Sequence, residues 1–196
     1  MTQKVVKLSA KFTLEVKPKV PFNFDATVHK PSHFPAPVED YREGVLWRTM
    51  RIGDKVLGLK MVNRGSVDAP QVSLTFYSEK PLLKKEQNDL IDEVGWRYDF
   101  DGDLSEFSKK FSRDKILGPV LLKWRGMHVS CGESLYELLV ISIVLQNATV
   151  RRTVQMMEAL LEKYGTKVRF DGKELFAFWK PERLHQASEQ ELRELK

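Results

Sequence analysis

Apolar residues recur at every second position through much of the first 80 residues, the period of strands with one buried face. Residues 11–16 alternate, and residues 22–28 place apolar groups at alternate positions, so both predict strands. Prolines punctuate residues 31–37. Residues 46–52 and 56–62 flank Gly53 and Asp54, a pair suited to the tight turn of an antiparallel hairpin. Residues 71–77 predict a further strand, with Val72, Leu74 and Phe76 on one face and Ser73, Thr75 and Tyr77 on the other. Such one-sided patterning calls for a layer that covers the apolar face.

From Pro81 the period lengthens to the helical 3.6. Residues 82–94 predict the covering helix through Leu83, Leu90, Ile91 and Val94. Residues 105–111 and 113–117 predict shorter helices, the second ended by Gly118 and Pro119, and residues 120–129 read as an extended linker. Ser134 with Glu137 three residues on makes a capping box for a nearly all-apolar helix that ends at Gln146 and Asn147. Thr149 caps the next helix, whose Val150, Val154, Met157, Leu161 and Tyr164 share one side, and Gly165 stands where a left-handed helix end is common. Pro181 suits a helical first turn, and Ser188 with Glu191 makes a second capping box. The chain stops barely two turns later, which reads as a fragment or split product of a longer protein.

The 196 residues suffice for one sizeable domain or two small ones, and 42% hydrophobic with 30% charged residues is ordinary for a soluble globular protein. A net charge of +5 permits a polyanionic partner without requiring one. The single cysteine, Cys131, excludes an intrachain disulfide and fits a reducing compartment. The N-terminus lacks the apolar core of a signal peptide, and residues 138–145 are far short of the roughly 20 needed to cross a bilayer. These features predict a soluble cytoplasmic protein with no membrane partner.

Candidate metal and nucleophile patterns fail on inspection. Asp99, Asp101 and Asp103 have calcium-loop spacing, but Leu104 and Lys110 stand where the loop needs Gly and Glu. His29 and His33 are separated by Pro31, which breaks the helix that would align them as ligands. His128 and Cys131 have no evident orienting acid. No metal site and no cofactor is expected. Gln146 and Asn147 can be a satisfied amide pair at a helix end, or amides offered to a nucleic-acid duplex beside Arg151 and Arg152.

Several stretches, in order, resemble one family. Residues 21–25 (PFNFD), 47–53 (WRTMRIG) with 56–61, 71–78, 99–111, 122–127 (LKWRGM), 136–165 and 179–184 (WKPERL) are similar to segments of the helix–hairpin–helix DNA glycosylases. The match is nearest to 3-methyladenine DNA glycosylase II and its archaeal relatives, with 8-oxoguanine DNA glycosylases next. The resemblance implies an α+β fold. Its antiparallel sheet, like that of the TATA-binding protein, is covered by helices over 1–119, and the first helices of an all-α glycosylase domain follow over 120–196. It implies base excision repair on double-stranded DNA, in which a damaged nucleotide is flipped out and its N-glycosidic bond cleaved. On this match Asn147 fills the vacated gap, Gln146 supports it or contacts the opposite base, Arg151 and Arg152 meet the DNA backbone, and Phe22 and Phe24 approach the base pocket.

The family's glycine-rich hairpin and catalytic Asp match nothing within 1–196, so the resemblance assigns no catalytic residue here. It implies that a separate or missing C-terminal segment supplies them, in a cytoplasmic, nucleoid-associated protein of prokaryotic or archaeal type. The alternatives are a non-catalytic damage-binding or regulatory protein on the same shell, and an inactive remnant.

Overall fold

The computed structural model describes residues 5–30 and 36–195, so His33 and Pro31 lie outside the described residues. In chain order the elements are β1 (Val6–Lys7), β2 (Ala10–Val16), α1 (Phe24–Val28), β3 (Glu39–Arg42), β4 (Val45–Ile52), β5 (Lys55–Asn63) and β6 (Val72–Ser78). Then follow α2 (Lys84–Arg97), α3 (Ser105–Phe111), α4 (Leu117–Lys123), α5 (Leu135–Leu145), α6 (Val150–Tyr164), β7 (Thr166–Phe170), β8 (Lys173–Ala177), α7 (Pro181–His185) and α8 (Glu189–Arg193).

The fold is α+β, as the pattern predicts. Five antiparallel strands run in the order β2-β6-β5-β4-β3, with Leu14 opposite Leu74 and Met61 opposite Leu74 on the other side. Alternation sends Leu46, Met50, Leu57, Leu59, Met61, Val72, Leu74 and Phe76 to one face, where Leu90 and Val94 of α2 and Phe24 and Val28 of α1 cover them. Leu83 takes no part, because it precedes the helix as its N-cap and is exposed.

The second face is covered too, which one-sided patterning does not predict. Strands β7 and β8 form a hairpin, and β1 adds to β7 in parallel, with Val6 opposite Val168. Val168, Phe170, Leu175 and Leu8 of this small sheet pack on Trp47 and Tyr77. Gly58 makes room for the hairpin, since a Cβ there would stand 2.7 Å from the Phe170 ring. At the hairpin turn Asp171 (φ 48) accepts hydrogen bonds from Trp47 Nε1 at 2.7 Å and the Tyr77 hydroxyl at 2.9 Å, and pairs with Lys60 at 2.8 Å. Burial first, then this carboxylate, push the Tyr77 phenol up to about 12. Residues 166–177 thus belong structurally with the N-terminal sheet, and the 119/120 division falls inside α4.

Four local readings change. Residues 24–28 are helical, because the Asn23 side chain accepts from Ala26 N and starts a turn where alternation suggests a strand. The second short helix begins at Leu117, where Asp114 Oδ1 accepts from the Ile116 and Leu117 amides, each at 2.8 Å. Gly118 and Pro119 therefore open α4, and a first helical turn tolerates proline because its N–H groups have no intrahelical partner. Part of the expected 120–129 linker is consumed by that helix. Gly165 ends α6 with φ −65 and ψ 176, an extended conformation that leads directly into β7.

The capping boxes at Ser134–Glu137 and Ser188–Glu191 form, and Thr149 caps α6. Helix α6 buries Met157, Leu161 and Tyr164 against Phe178 and Trp179. In contrast α5 is apolar nearly all round yet has no fully buried residue; Leu135, Leu139 and Ile143 face away from the described core. No helix among the described residues is long and apolar enough to cross a membrane.

Phe170→Ala should lower stability by about 3–5 kcal/mol in urea unfolding, because the aromatic seals the second face. Gly58→Ala should also destabilise, through collision with the same ring.

Candidate nucleic-acid interface

The α5–α6 turn is shaped by three residues. Gln146 leaves the helix at φ −65 and ψ 126, and Asn147 takes a left-handed φ of 53 that asparagine tolerates better than most residues. Thr149 then accepts from Arg152 N at 3.3 Å and starts α6. The Gln146, Asn147, Arg151 and Arg152 side chains are all exposed on this turn. Two guanidinium groups in the first turn of α6 oppose the positive end of the helix dipole, a penalty of roughly 0.3–1 kcal/mol each that a bound anion removes.

Behind the turn, between the sheet and the α5–α6 pair, lies a cavity of about 290 Å³. Leu138 and Ile141 of α5, Val154, Met157 and Leu161 of α6, and Phe178 form apolar walls. The polar floor comes from Glu39, Arg48, Tyr98 and Glu133. Arg48 sits on the inward face of β4, between Leu46 and Met50, and is buried. Its Nη1 donates to Glu39 and its Nη2 to Glu133 Oε1 at 2.6 Å. Burial disfavours the Arg48 charge, but Glu133 and then Glu39 outweigh that and raise its pKa further. Burial likewise pushes the Glu133 carboxyl up, and the Arg48 charge and hydrogen bond overcome this, holding it at about 2. Gly132 lets the chain pass, since a Cβ there would stand 2.4 Å from Arg48 Nη1.

The segment that carries Glu133 is laced to the sheet domain. Asn23 N donates to Gly126 O at 2.6 Å, His128 N to Thr27 Oγ1 at 3.1 Å, and Cys131 N to Arg97 O at 2.8 Å. The His128 ring is fully enclosed, with Nε2 donating to the Pro21 carbonyl at 3.0 Å and Nδ1 2.9 Å from Asp99 Oδ2. Burial, then Glu133, raises the Cys131 thiol, which disfavours a nucleophilic thiolate. Asp103 accepts from Ser105 N and pairs with Lys19 at 2.8 Å, so Asp99 and Asp103 both hold protein partners.

Gln146, Asn147, Arg151 and Arg152 are brought together, whereas Phe22 and Phe24 are not part of the cavity. Both are core residues, and Phe22 packs edge-on against Phe100 at 5.5 Å. Their side chains pack into the sheet's core and do not line this cavity. The cavity floor escaped the sequence reading, although an arginine between Leu46 and Met50 at an inward position was a signal for it.

No family model and no curated protein sequence matches the chain. Its fold does match solved structures. The 3-methyladenine DNA-glycosylase from Archaeoglobus fulgidus superposes with TM-score 0.76 at 13% identity, over 93% of this chain and 61% of that one. The apo 8-oxoguanine glycosylase/lyase of Clostridium acetobutylicum gives 0.64 at 18% identity, over 100% and 62%. The same enzyme in complex with dsDNA containing cytosine opposite 8-oxoG gives 0.62 at 18% identity, over 93% and 59%. The fold is therefore that of the N-terminal portion of these DNA glycosylases. This chain spans about three fifths of the length of each.

The Glu133 carboxyl is held below its ordinary value of 4.5. It therefore contributes stability that is present above pH 4.5 and is lost as pH falls toward 2, about 3 kcal/mol in all. Denaturation midpoints measured from pH 6 to pH 3 should fall steeply in the wild type, and less steeply in Glu133→Gln.

Proposed function

We propose that this chain is the N-terminal, substrate-facing part of a DNA glycosylase of base excision repair, acting on alkylated or oxidised bases. The observation that carries the reading is the exposed α5–α6 turn. It presents a left-handed Asn147 with Gln146 and two cations, on the helix pair whose inner sides line a cavity of about 290 Å³. The glycosylases of like fold, one of them bound to dsDNA, support it.

In the duplex, Asn147 enters the gap left by an extruded nucleotide, its amide offering donors and an acceptor to the orphaned base. Gln146 backs it, and Arg151 and Arg152 engage backbone phosphate at the N-terminus of α6. The flipped base moves toward the cavity between the sheet and the α5–α6 pair. Hydrolysis of the N-glycosidic bond needs a catalytic carboxylate from outside residues 1–196, together with the glycine-rich hairpin. That segment docks on the apolar side of α5 that carries Leu135, Leu139 and Ile143. The site of action is the cytoplasm, at the nucleoid.

Fluorescence anisotropy with duplexes carrying a damaged base or an abasic gap tests the reading. Asn147→Ala should abolish the preference for damaged over intact duplex. Arg151→Ala and Arg152→Ala should weaken binding to both and each reduce the salt slope by about 1. Purified 1–196 should release no base. Strong release would place the catalytic group inside this chain and overturn the division of labour. Damage-specific binding that no C-terminal segment converts into release would favour a non-catalytic damage-binding protein.

A further inference from the structure

Trp96 stands in the last turn of α2 with 77% of its surface exposed, and Val129, on the segment that leads to α5, is 84% exposed. Both line a groove of about 820 Å³ that is bounded by α2, the end of β2, residues 99–102 and residues 129–131. The other three tryptophans have partners within the chain. Lys173 lies 4.7 Å from the Trp47 ring centroid, Lys123 lies 5.3 Å from that of Trp124, and Trp179 stacks on Phe178 at 4.2 Å. Among the described residues Trp96 has neither a cation over its face nor a ring beside it. Exposed indoles are enriched where a partner covers them, because one side chain supplies a large apolar face and a polar tip.

The charge around Trp96 is opposite to that of the whole protein. Residues 89–103 hold six acids (Asp89, Asp92, Glu93, Asp99, Asp101 and Asp103) and one base, Arg97, a net −5 within a chain of net +5. Asp89, Asp92 and Trp96 fall at i, i+3 and i+7, so they share one side of α2. Arg97 is turned inward, where Nε donates to Glu93 Oε1 at 2.8 Å and Nη1 to Gly132 O at 2.7 Å. Asp99 is engaged by His128, but Asp92 and Asp101 line the groove, are exposed and have no ion-pair partner among the described residues. Lys17, at the end of β2, is the exposed cation of the lining.

That sign selects the class of partner. A phosphate backbone or an anionic lipid surface is repelled by an acidic rim. No group of three or more metal-ligating side chains is assembled among the described residues, so the aspartates do not form a metal centre. A second copy would have to press a basic stretch onto this face, and such a contact is not self-complementary and would run on into open chains. A cationic side chain meets both features at once, with its charge over the indole face and beside the carboxylates.

We propose that this groove is a docking site for an arginine- and lysine-rich segment of a partner protein, with one cationic side chain stacked on Trp96 and its neighbours paired with Asp92 and Asp101. The site is separate from the α5–α6 turn and does not rest on the glycosylase reading.

The test measures fluorescence anisotropy of a short labelled peptide of alternating arginine and serine, added to the 196-residue protein. A peptide with glutamine in place of arginine serves as the neutral probe. The arginine peptide should bind about tenfold more tightly than the neutral one. Trp96→Ala, and separately the Asp92→Asn, Asp101→Asn double variant, should each weaken it about fivefold or more, with thermal midpoints unchanged because all three side chains are exposed. Glu162→Gln, which removes an exposed carboxylate on α6, should leave binding as it is. Equal weakening by Glu162→Gln would mean diffuse attraction to any acid and would overturn the proposal, as would binding indifferent to Trp96→Ala or no binding at all. Sedimentation that shows self-association dissolved by Trp96→Ala would give the groove to a second copy and overturn it too. Duplex binding should be unaltered in Trp96→Ala; its loss would assign the groove to the DNA interface instead. Failure of peptide binding with Asn147-dependent duplex binding intact removes this proposal and leaves the glycosylase reading standing.

Discussion

The buried guanidinium of Arg48, held between the carboxylates of Glu39 and Glu133, is the constraint on which the arrangement of the two halves depends. Glu39 and Arg48 face each other across the β3–β4 ladder, so that pair alone stays within the sheet. Glu133 comes from the segment just before α5, and its bond to Arg48 fixes where that helix begins relative to the sheet. Charges removed from water need complete pairing, since losing one partner strands the other in a medium of low dielectric. The position of α5, and through it the α5–α6 turn, follows from an electrostatic requirement in the sheet.

Around that anchor, polar and apolar contacts divide the task. The Gly126 carbonyl, which accepts from Asn23 N, and the His128 and Cys131 amides, which donate to Thr27 Oγ1 and Arg97 O, pin the connecting segment to α1 and its N-cap and to α2. Apolar packing of Met157, Leu161, Phe178 and Trp179 holds α6, and Trp179 Nε1 donates to the Tyr136 hydroxyl of α5 at 3.0 Å. Between the electrostatic anchor and the apolar one the side chains do not close up. The space left over is the cavity, with ion pairs at its floor and hydrocarbon at its walls.

What the sequence discloses is local. Ser134 with Glu137, Thr149, and Ser188 with Glu191 are legible because each cap is made within three residues. The order of the central strands is likewise signalled by alternation and by the Gly53–Asp54 turn. Features that depend on distant partners are not legible. The hairpin of residues 166–177 mixes charges with Val168, Phe170 and Leu175, and its purpose emerges only beside Trp47 and Tyr77. Phe22 and Phe24 carry no mark that tells a core aromatic from a pocket aromatic. Glu39, Arg48, Tyr98 and Glu133 are scattered over nearly a hundred positions, and only the fold assembles them.

The hairpin also gives the chain an order of assembly. Without β7 and β8, Trp47 and Tyr77 on the second face of the sheet lack their main apolar partners, Val168, Phe170 and Leu175. The two helices of the proposed DNA-facing turn lie between the sheet and that hairpin in the chain. Closing the sheet therefore draws both ends of the helical pair onto one scaffold. Residues 166–177 are the last-made part of the second-face cluster, so full burial of Trp47 and Tyr77 requires a segment more than 80 positions further along the chain.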